Sequence, residues 1–531
     1  MFNRPRLAFK TATLATAALL GTTMLSSAAF AQSTVKAVMH SGLRVLDPVI
    51  TTAHITRNHA YMIYDVLIAQ DSAFQPQPQM ADWTVSDDML TYTFTLRDGL
   101  TFHDGAPVTA ADAVASLNRW GQKDAGGQVI MDRTASLEAT DDTTITWTLT
   151  EPFVPMLDVL SKQSALPPFI MPARIAETSA DEAITEYVGS GPFRFVEAEF
   201  QPGLMVVYEK FDDYVPRDEP ADWMAGGKVV NVDRVEWVNM PDIQTAVNAL
   251  SGGEVDYVEA MQVDLIPLLE GDPNVVVETR EPTGMQTMTR MNFLHPPFDN
   301  QQVRQAALKA ITQEPVLAAM VGNPEYYSVC GAILGCGTPL ASDAQTETLT
   351  QGGGADEARA LLEEAGYDGT PVVLMAPTDM VALATQPVVV SQMLREAGFE
   401  VELQPMDWQT LVTRRASQAA PAEGGWNIFI TNWMVPEISN PISNPMLNGR
   451  GSDAWFGWPE DEMIEALKED FIDAETPEAQ VEVAQQIQTH ALDNGLLIPL
   501  GQYTLPQARR ATITDMIQSP VPVFWGMQKA E

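Results

Sequence analysis

The sequence predicts an α/β protein that folds around more than one hydrophobic core. The chain has 531 residues, of which 45% are hydrophobic, and this length exceeds what a single core can organise. Three stretches, at 240–259, 358–375 and 389–406, each combine a short amphipathic helix, a glycine that ends it and a following strand. Helices and strands that alternate at this spacing indicate βαβ units on a mixed sheet.

Each of these three stretches carries its own start or stop signal. In the first, Asp242 can cap the helix, the glycine pair at 252–253 can end it, and a strand begins at 255–258. In the other two, the helix ends at Gly366 and Gly398, and an aromatic residue leads into the strand. We therefore expect three helix-to-strand steps.

A longer ordered pattern reads LTYTFTLRDGLTFHDGAPVTAADAVASLNR. Residues 91–96 alternate threonines with aromatic or aliphatic residues, as in a half-buried strand. Two tight turns follow near Gly99 and Gly105. Thr109 and Asp112 then have the spacing of a capping box that opens a helix. These elements predict local structure and no reaction.

This pattern resembles the signature segment of the family 5 solute-binding proteins of ABC importers, a group that includes periplasmic dipeptide-, oligopeptide- and nickel-binding proteins. The segment VGSGPF at 188–193 and the run at 292–306 also resemble the family, and similar positions extend from about residue 36 to about residue 510. The resemblance implies a two-lobed α/β periplasmic binding protein fold with mixed sheets, a hinge between the lobes and an extra third domain.

The resemblance also implies a division of the chain into domains. Lobe I is expected to combine residues 32–70, 187–280 and 505–531, because in the family the C-terminus returns to complete the first lobe. Residues 71–186 are expected to form the extra domain, and 281–504 lobe II. The signature segment then lies in the extra domain.

The N-terminus has the pattern of a cleavable signal peptide at 1–31. Three basic residues in the first ten positions precede an apolar run at 14–25, which is too short and too interrupted to span a membrane. The site Ala29-Phe30-Ala31 predicts that the mature chain starts at Gln32. No cysteine lies near that site, so we expect a soluble protein that is exported to the periplasm without a lipid anchor.

The chain is strongly acidic, with 30 basic and 70 acidic residues. Three of the basic residues lie in the predicted signal peptide, so the mature chain has 27 basic and 70 acidic residues and a net charge of −43. This balance argues against nucleic acids and anionic lipid surfaces as partners, because both require clustered Lys and Arg. It is typical of a solvated acidic surface and identifies no cationic ligand.

The only two cysteines, Cys330 and Cys336, are separated by five residues that include glycines. An oxidising compartment would join them in a small disulfide loop. A metal site is the weaker interpretation, because no histidine or further cysteine lies close by in the sequence. We predict a structural disulfide, which contributes about 2 kcal/mol through loop entropy.

No motif for catalysis, for a metal or for a cofactor emerges from the sequence. Gly189-Ser190-Gly191 is not a nucleophile elbow, and the chain has neither a phosphate-binding loop of the P-loop type nor an H-E-x-x-H helix. The six histidines lack metal-pair spacing, and His103-Asp104 is better explained as a turn with Gly105. We therefore predict no catalytic residue, no metal and no cofactor.

The segment WNIFITNWMVPEISNPISNP holds the main candidates for ligand contact. Trp433 ends an apolar strand and Met434 opens an irregular loop, which is where open α/β sheets bind ligands. In the family this loop usually carries an aspartate-proline step, whose aspartate pairs with a peptide's terminal ammonium. Here Asn440-Pro441 replaces it and Glu437 is the nearest carboxylate. Either Glu437 substitutes for the aspartate or the solute has no free N-terminus; Glu437 as an ordinary loop charge is a third possibility.

Three further residues, at two places in the chain, resemble family cleft residues. Leu43 and Arg44 lie in the segment HSGLRVLDP near the N-terminus, and Arg44 could hold a ligand carboxylate in bidentate fashion or form a surface salt bridge. Tyr503 lies near the return to lobe I.

These features predict the periplasmic solute-binding component of an ABC importer. It would enclose a di- or oligopeptide between its lobes and deliver it, as a monomer, to a permease and ATPase complex in the inner membrane. An oligosaccharide or an organic amine or opine-like solute is the alternative ligand. A secreted hydrolase with a dispersed site and a nickel-binding relative are the competing functions.

Overall fold

The computed structural model describes residues 33–280, 283–352, 354–474 and 476–530. The predicted signal peptide at 1–31 and the predicted mature N-terminus Gln32 lie outside these ranges.

Three large sheets organise the described chain. The first has seven strands in the spatial order Phe193–Phe195, Met205–Lys210, Arg234–Val238, Thr34–Val38, Tyr257–Val258, Gln507–Arg510 and Val275–Glu278. Thr34–Val38 pairs in parallel with both neighbours, whereas the other pairs are antiparallel. This mixed seven-stranded sheet therefore collects strands from widely separated parts of the chain.

The second sheet has six strands and is also mixed. Its spatial order is Tyr327–Ser328, Ile498–Tyr503, Met285–Met291, Ile428–Met434, Val372–Pro377 and Val401–Met406. Val372–Pro377 pairs in parallel with both of its neighbours, and Met285–Met291 pairs antiparallel with both of its own.

The third sheet has four antiparallel strands and contains the strand of the signature segment. Its order is Ala81–Val85, Thr91–Leu96, Thr144–Leu149 and Thr134–Ala139. The predicted strand at 91–96 is confirmed, and Thr109 and Asp112 form the predicted capping box of the helix Ala110–Trp120. Gly105 has a φ of 86° in the predicted turn, and His103 Nε2 lies 3.0 Å from the carbonyl oxygen of Gly191. His103 thus joins two scaffold segments.

Shorter elements complete the secondary structure. Two-stranded sheets pair Asp65–Val66 with Phe169–Ile170, Ile68–Gln70 with Pro76–Pro78, and Ile513–Thr514 with Gln528–Lys529. The described α-helices are His54–Ile63, Ala110–Trp120, Ala125–Asp132, Met156–Ser161, Ala173–Ala176, Ile243–Gly252, Gln301–Ala310, Gln313–Val321, Glu347–Gln351, Ala355–Glu364, Gln386–Glu396, Trp408–Arg414, Val435–Ile438, Glu462–Asp473 and Pro477–Asp493. The 3₁₀ helices are Glu197–Glu199, Val263–Leu268, Pro324–Tyr326, Pro421–Glu423, Pro445–Leu447 and Gly451–Asp453.

The three predicted helix-to-strand steps are confirmed. The Asp242 side chain accepts a hydrogen bond from the backbone N–H of Thr245 at the start of the first helix, and Gly253 ends that helix in the left-handed region at a φ of 76°. Gly366 and Gly398 follow the other two helices, also with positive φ. Glycine adopts this conformation without the steric penalty that a Cβ would bring.

The predicted disulfide between Cys330 and Cys336 is present. Gln313 fixes its first half, because the Gln313 side chain accepts from the Cys330 backbone N–H at 2.7 Å and donates to the Cys330 carbonyl at 2.8 Å. None of the described helices combines the length and apolar character that crossing a membrane would require.

Candidate ligand-binding site

A cavity lies between the carboxyl ends of strands from the two larger sheets. About 1030 Å³ in it is free of protein atoms, part of it open to solvent. His40, Glu259 and Arg280 line it, each within two residues of the end of a strand of the seven-stranded sheet. Trp433 and Tyr503 line it from the ends of two strands of the six-stranded sheet. Carboxyl ends of strands are the usual place for a ligand in an open α/β sheet.

Glu437 is a fully buried carboxylate beside this cavity, in the short helix Val435–Ile438. Its Oε1 accepts from Arg57 Nη1 at 3.1 Å. Its Oε2 accepts from the Met434 backbone N–H at 2.7 Å and lies 3.1 Å from His54 Nε2. Burial alone would raise the pKa of this carboxyl, but the charge and hydrogen bond of His54, together with the Arg57 guanidinium, lower it to about 2. Both oxygens of Glu437 are therefore engaged inside the chain.

Glu259 is the one carboxylate among the described residues that line the cavity itself. Its Oε2 accepts from the His40 backbone N–H at 2.9 Å and lies 2.7 Å from His40 Nδ1. Its Oε1 accepts from Asn58 Nδ2 at 3.4 Å and lies 3.7 Å from Arg280 Nη1. Burial would raise the pKa of Glu259, yet these contacts with His40 and Arg280 lower it to about 2. Glu259 is an ionised group that the chain already neutralises.

Arg415 is a buried cation in the opposite situation. It immediately follows the helix Trp408–Arg414, lines the cavity and is only 1% exposed. Its Nη2 donates to Thr51 Oγ1 at 3.3 Å and to Thr52 Oγ1 at 3.4 Å, and the described residues provide it with no ion pair. Burial lowers the pKa of Arg415 to about 9. The guanidinium is thus charged near neutral pH, and no described residue places an anion beside it.

Four buried polar atoms of the described cavity-lining residues have no hydrogen-bond partner. Three are N–H donors: Nε of Arg280, Nε of Arg415 and Nε1 of Trp433. The fourth is the acceptor Oδ1 of Asn432. Buried polar groups in native proteins are nearly always hydrogen-bonded. A bound solute that offers mainly acceptors would complete this set.

The model of the "Bacterial extracellular solute-binding proteins, family 5 Middle" matches residues 75–454, which is most of the chain. The chain belongs to this family of solute-binding proteins. A Sinorhizobium fredii (strain NBRC 101917 / NGR234) protein named "Probable peptide ABC transporter periplasmic-binding protein y4tO" is 41% identical over 527 residues, 98% of each chain. The glutathione-binding protein GsiB of Escherichia coli (strain K12) is 27% identical over 423 residues, which cover 78% of this chain and 77% of GsiB.

Solved structures give this solute-binding protein its fold class. The periplasmic binding protein AgaA from A. tumefaciens R10, in complex with agropinic acid, matches with a TM-score of 0.77 and 22% identity over 94% of this chain and 99% of that one. DppA from Helicobacter pylori, in complex with the peptide STSA, matches with a TM-score of 0.77 and 18% identity over the same shares. The predicted two-lobed periplasmic binding protein fold with mixed sheets is confirmed.

Three of the residues predicted from the sequence line the cavity of this solute-binding protein: Trp433, Met434 and Tyr503. Trp433 is 1% exposed, and its ring meets the His54 ring edge to face at 6.4 Å. The Tyr503 hydroxyl lies 3.6 Å from Met285 Sδ.

The other four predicted residues lie elsewhere. Leu43 is buried in the main hydrophobic core. Arg44 is 47% exposed and its Nη1 donates to Asp407 Oδ1 at 2.8 Å, the surface salt bridge that the sequence left open. Asn440 and Glu437 line a separate cavity of about 1860 Å³, where Asn440 Oδ1 accepts from the Ile442 backbone N–H.

Sequence reasoning missed several cavity residues, among them Arg57, Glu259, Arg280 and Arg415. One signal was available for Arg415: it stands four positions after Leu411, on the helix face that buries Leu411 and Trp408. A cation at a core position of an amphipathic helix needs a reason to be there. Nothing comparable marks Glu259 or Arg280, which lie just beyond short strands. Among the described residues, no group of three or more His, Cys, Asp or Glu side chains could hold a metal ion.

Proposed function

We propose that this family 5 protein binds a di- or oligopeptide in the cavity described above and delivers it to the permease and ATPase complex of an ABC importer. The observation that carries the proposal is the cavity itself, which is lined from the strand ends of two separate sheets and holds unpartnered buried polar atoms. The peptide class is supported by the relative that is 41% identical over 98% of its length, because that protein is named a probable peptide ABC transporter periplasmic-binding protein.

The domain boundaries predicted from the resemblance form part of this proposal. Lobe I would comprise 32–70, 187–280 and 505–531, and all seven strands of the seven-stranded sheet fall within those segments. Lobe II would comprise 281–504, where the six-stranded sheet lies, and the extra domain 71–186, where the four-stranded sheet lies. A hinge between the lobes would let them close on the solute.

Residues from both proposed lobes would touch the solute, with His40, Glu259 and Arg280 facing it from lobe I. Trp433, Met434 and Tyr503 would form an apolar and aromatic wall on lobe II, joined there by Arg415. Leu43, Arg44, Glu437 and Asn440 would act outside the contact surface; the ion pair of Arg44 with Asp407 would bridge lobe I and lobe II and support the closed form.

We further propose that the protein acts in the periplasm as a monomer, after removal of residues 1–31, and that it binds without catalysis. The family assignment supports the exported, solute-binding role.

The test is to mix the purified chain from residue 32 onward with an equimolar library of unmodified di- and tripeptides. We expect native mass spectrometry to show retained peptides, the melting temperature to rise with peptide concentration, and every peptide to be recovered intact. Cleavage of the peptides would instead support the secreted-hydrolase alternative. If no peptide is retained, the peptide assignment is wrong.

A further inference from the structure

We propose that the site recognises a carboxylate of its solute through Arg415 and does not require a free ammonium group. This inference rests on the proposed solute-binding function and specifies its ligand class: a carboxylic acid of peptide size whose amino end can be blocked. A peptide read by its C-terminus and an N-substituted amino acid both meet this description.

The Arg415 guanidinium is a buried charge that its surroundings compensate only in part. A charged group that is withdrawn from water costs several kcal/mol unless an opposite charge and hydrogen bonds compensate. The described residues compensate Arg415 with only two hydroxyls, at 3.3 and 3.4 Å, both near the long limit of a hydrogen bond. No described residue forms a hydrogen bond with its Nε.

Arg290 is a second buried arginine with which Arg415 can be compared. It is also buried, with 0% exposed, and burial lowers the pKa of Arg290 to about 9 as well. Yet its guanidinium donates to three backbone carbonyls at 2.6 to 3.0 Å, those of Phe456, Met446 and Leu496, and it does not line the cavity. The fold therefore satisfies a structural buried arginine in full. Arg415, which lines the cavity, keeps N–H groups that no described residue bonds.

Aromatic rings surround the Arg415 guanidinium. Four rings lie 4.9 to 5.8 Å from its Cζ: Trp408, Phe429, Trp455 and Phe456. Such rings stabilise a guanidinium by cation–π attraction and leave its N–H groups unbonded. A guanidinium held in this way can meet a carboxylate with two parallel hydrogen bonds.

The charges of the cavity wall favour an anionic solute. Each described carboxylate in or beside the wall is already engaged, Glu259 by His40 and Arg280 and Glu437 by Arg57 and His54. An incoming ammonium would have to share one of these carboxylates with the cations and histidines that already contact it. The unpartnered buried atoms are three donors and one acceptor, so an anion fits the wall better than a cation.

The experiment uses one equimolar tripeptide library in three chemical forms, unmodified, N-acetylated and C-terminally amidated, together with the dicarboxylate glutarate as a minimal probe. Binding is measured by native mass spectrometry and, for the tightest sequence, by calorimetry. We expect N-acetylation to change affinity less than threefold and amidation to weaken it tenfold to hundredfold, because a hydrogen-bonded charge contributes about 1.5–3 kcal/mol.

Variants attribute that preference to one residue. Arg415→Gln should remove the difference between acid and amide, and Arg415→Lys should keep part of it, because lysine supplies the charge without the fork. Arg414→Gln is the matched control: Arg414 is the preceding residue, donates to the carbonyls of Gly424 and Gly425 and does not line the cavity. It should keep the full preference. If Arg415→Gln fails to fold, Arg415→Lys decides: a full, unreduced preference for acid over amide in Arg415→Lys would overturn the assignment to Arg415.

The outcomes separate this inference from the proposed function. Equal binding of acid and amide, loss of binding on N-acetylation, or an Arg415→Gln variant with the original preference would each overturn the inference while peptide binding stands. Binding of glutarate that requires Arg415, with no peptide retained, would support the inference and refute the peptide assignment. If neither peptides nor glutarate bind, both are overturned.

Discussion

Glu437 and Arg415 are two buried charges that flank the strand Ile428–Met434 in the sequence, and they differ in which groups neutralise them. Glu437 receives hydrogen bonds from Arg57 and the Met434 backbone and contacts His54, all at 2.7 to 3.1 Å. Arg415 has two long bonds to hydroxyls and no carboxylate among the described residues. A charge that its own chain satisfies is part of the scaffold, whereas a buried charge that is left unsatisfied points to the solute.

The largest expected effect is on stability, from Glu437→Gln. This change keeps the shape of the side chain but leaves the buried Arg57 without its anion, so we expect a loss of about 3–5 kcal/mol in the free energy of unfolding. Urea denaturation of the solute-free protein measures it. The double variant Arg57→Met/Glu437→Gln should recover part of the loss, since it removes both charges; a single variant as stable as the parent would show that the pair contributes nothing.

The corresponding change at the second buried charge is Arg415→Met. For this variant we expect little change in stability and a large loss of binding. Removing a desolvated charge that has no anion should change the free energy of unfolding by less than about 1 kcal/mol, because lost cation–π contacts offset the relief of desolvation. Binding of the tripeptide acids should fall tenfold or more. A large loss of stability with unchanged affinity would make Arg415 a scaffold residue like Arg290.

At acidic pH, the difference in unfolding free energy between the parent protein and the Glu437→Gln variant should become smaller. The pKa of Glu437 is lowered from 4.5 to about 2 in the folded protein, so the stability that it contributes is fully present above about pH 4.5. That contribution is lost as the pH falls towards 2. We therefore expect the difference in unfolding free energy to be constant from pH 7 to 5 and smaller at pH 3, as denaturant titrations at these three values would reveal. A difference that grows at pH 3 contradicts this assignment.

The smallest expected effect is from Arg44→Gln. The ion pair of Arg44 with Asp407 is partly exposed on both sides, 47% and 37%, and such pairs contribute about 0–1 kcal/mol and weaken with salt. We expect the melting temperature to change by no more than a few degrees and the preference for acid over amide to persist. Loss of that preference would return Arg44 to the role of carboxylate partner that its sequence position suggested.

The parts of this molecule that the sequence predicted are local. The capping box of Thr109 and Asp112, the left-handed Gly253 and the Cys330–Cys336 disulfide each depend on residues within a few positions of one another. Backbone sterics and short-range hydrogen bonds decide such features, and a pattern in the sequence displays them directly.

The charge pairing in the site could not be predicted in the same way. Glu437 meets Arg57 across 380 residues, and Arg415 meets Thr51 across 364. Sequence position made Glu437 one candidate partner for a ligand, with an ordinary loop charge as the alternative, and it gave no role to Arg415. Only the tertiary fold shows which of the two charges is already neutralised.

The most direct test of this account is a crystal structure of the protein with the tightest N-acetylated tripeptide from the library. We predict that both oxygens of the peptide's C-terminal carboxylate lie within about 3 Å of the Arg415 guanidinium, while Glu437 keeps its contacts with Arg57 and His54. A bound peptide whose carboxylate lies away from Arg415, or whose binding pulls Glu437 from Arg57, would contradict the account.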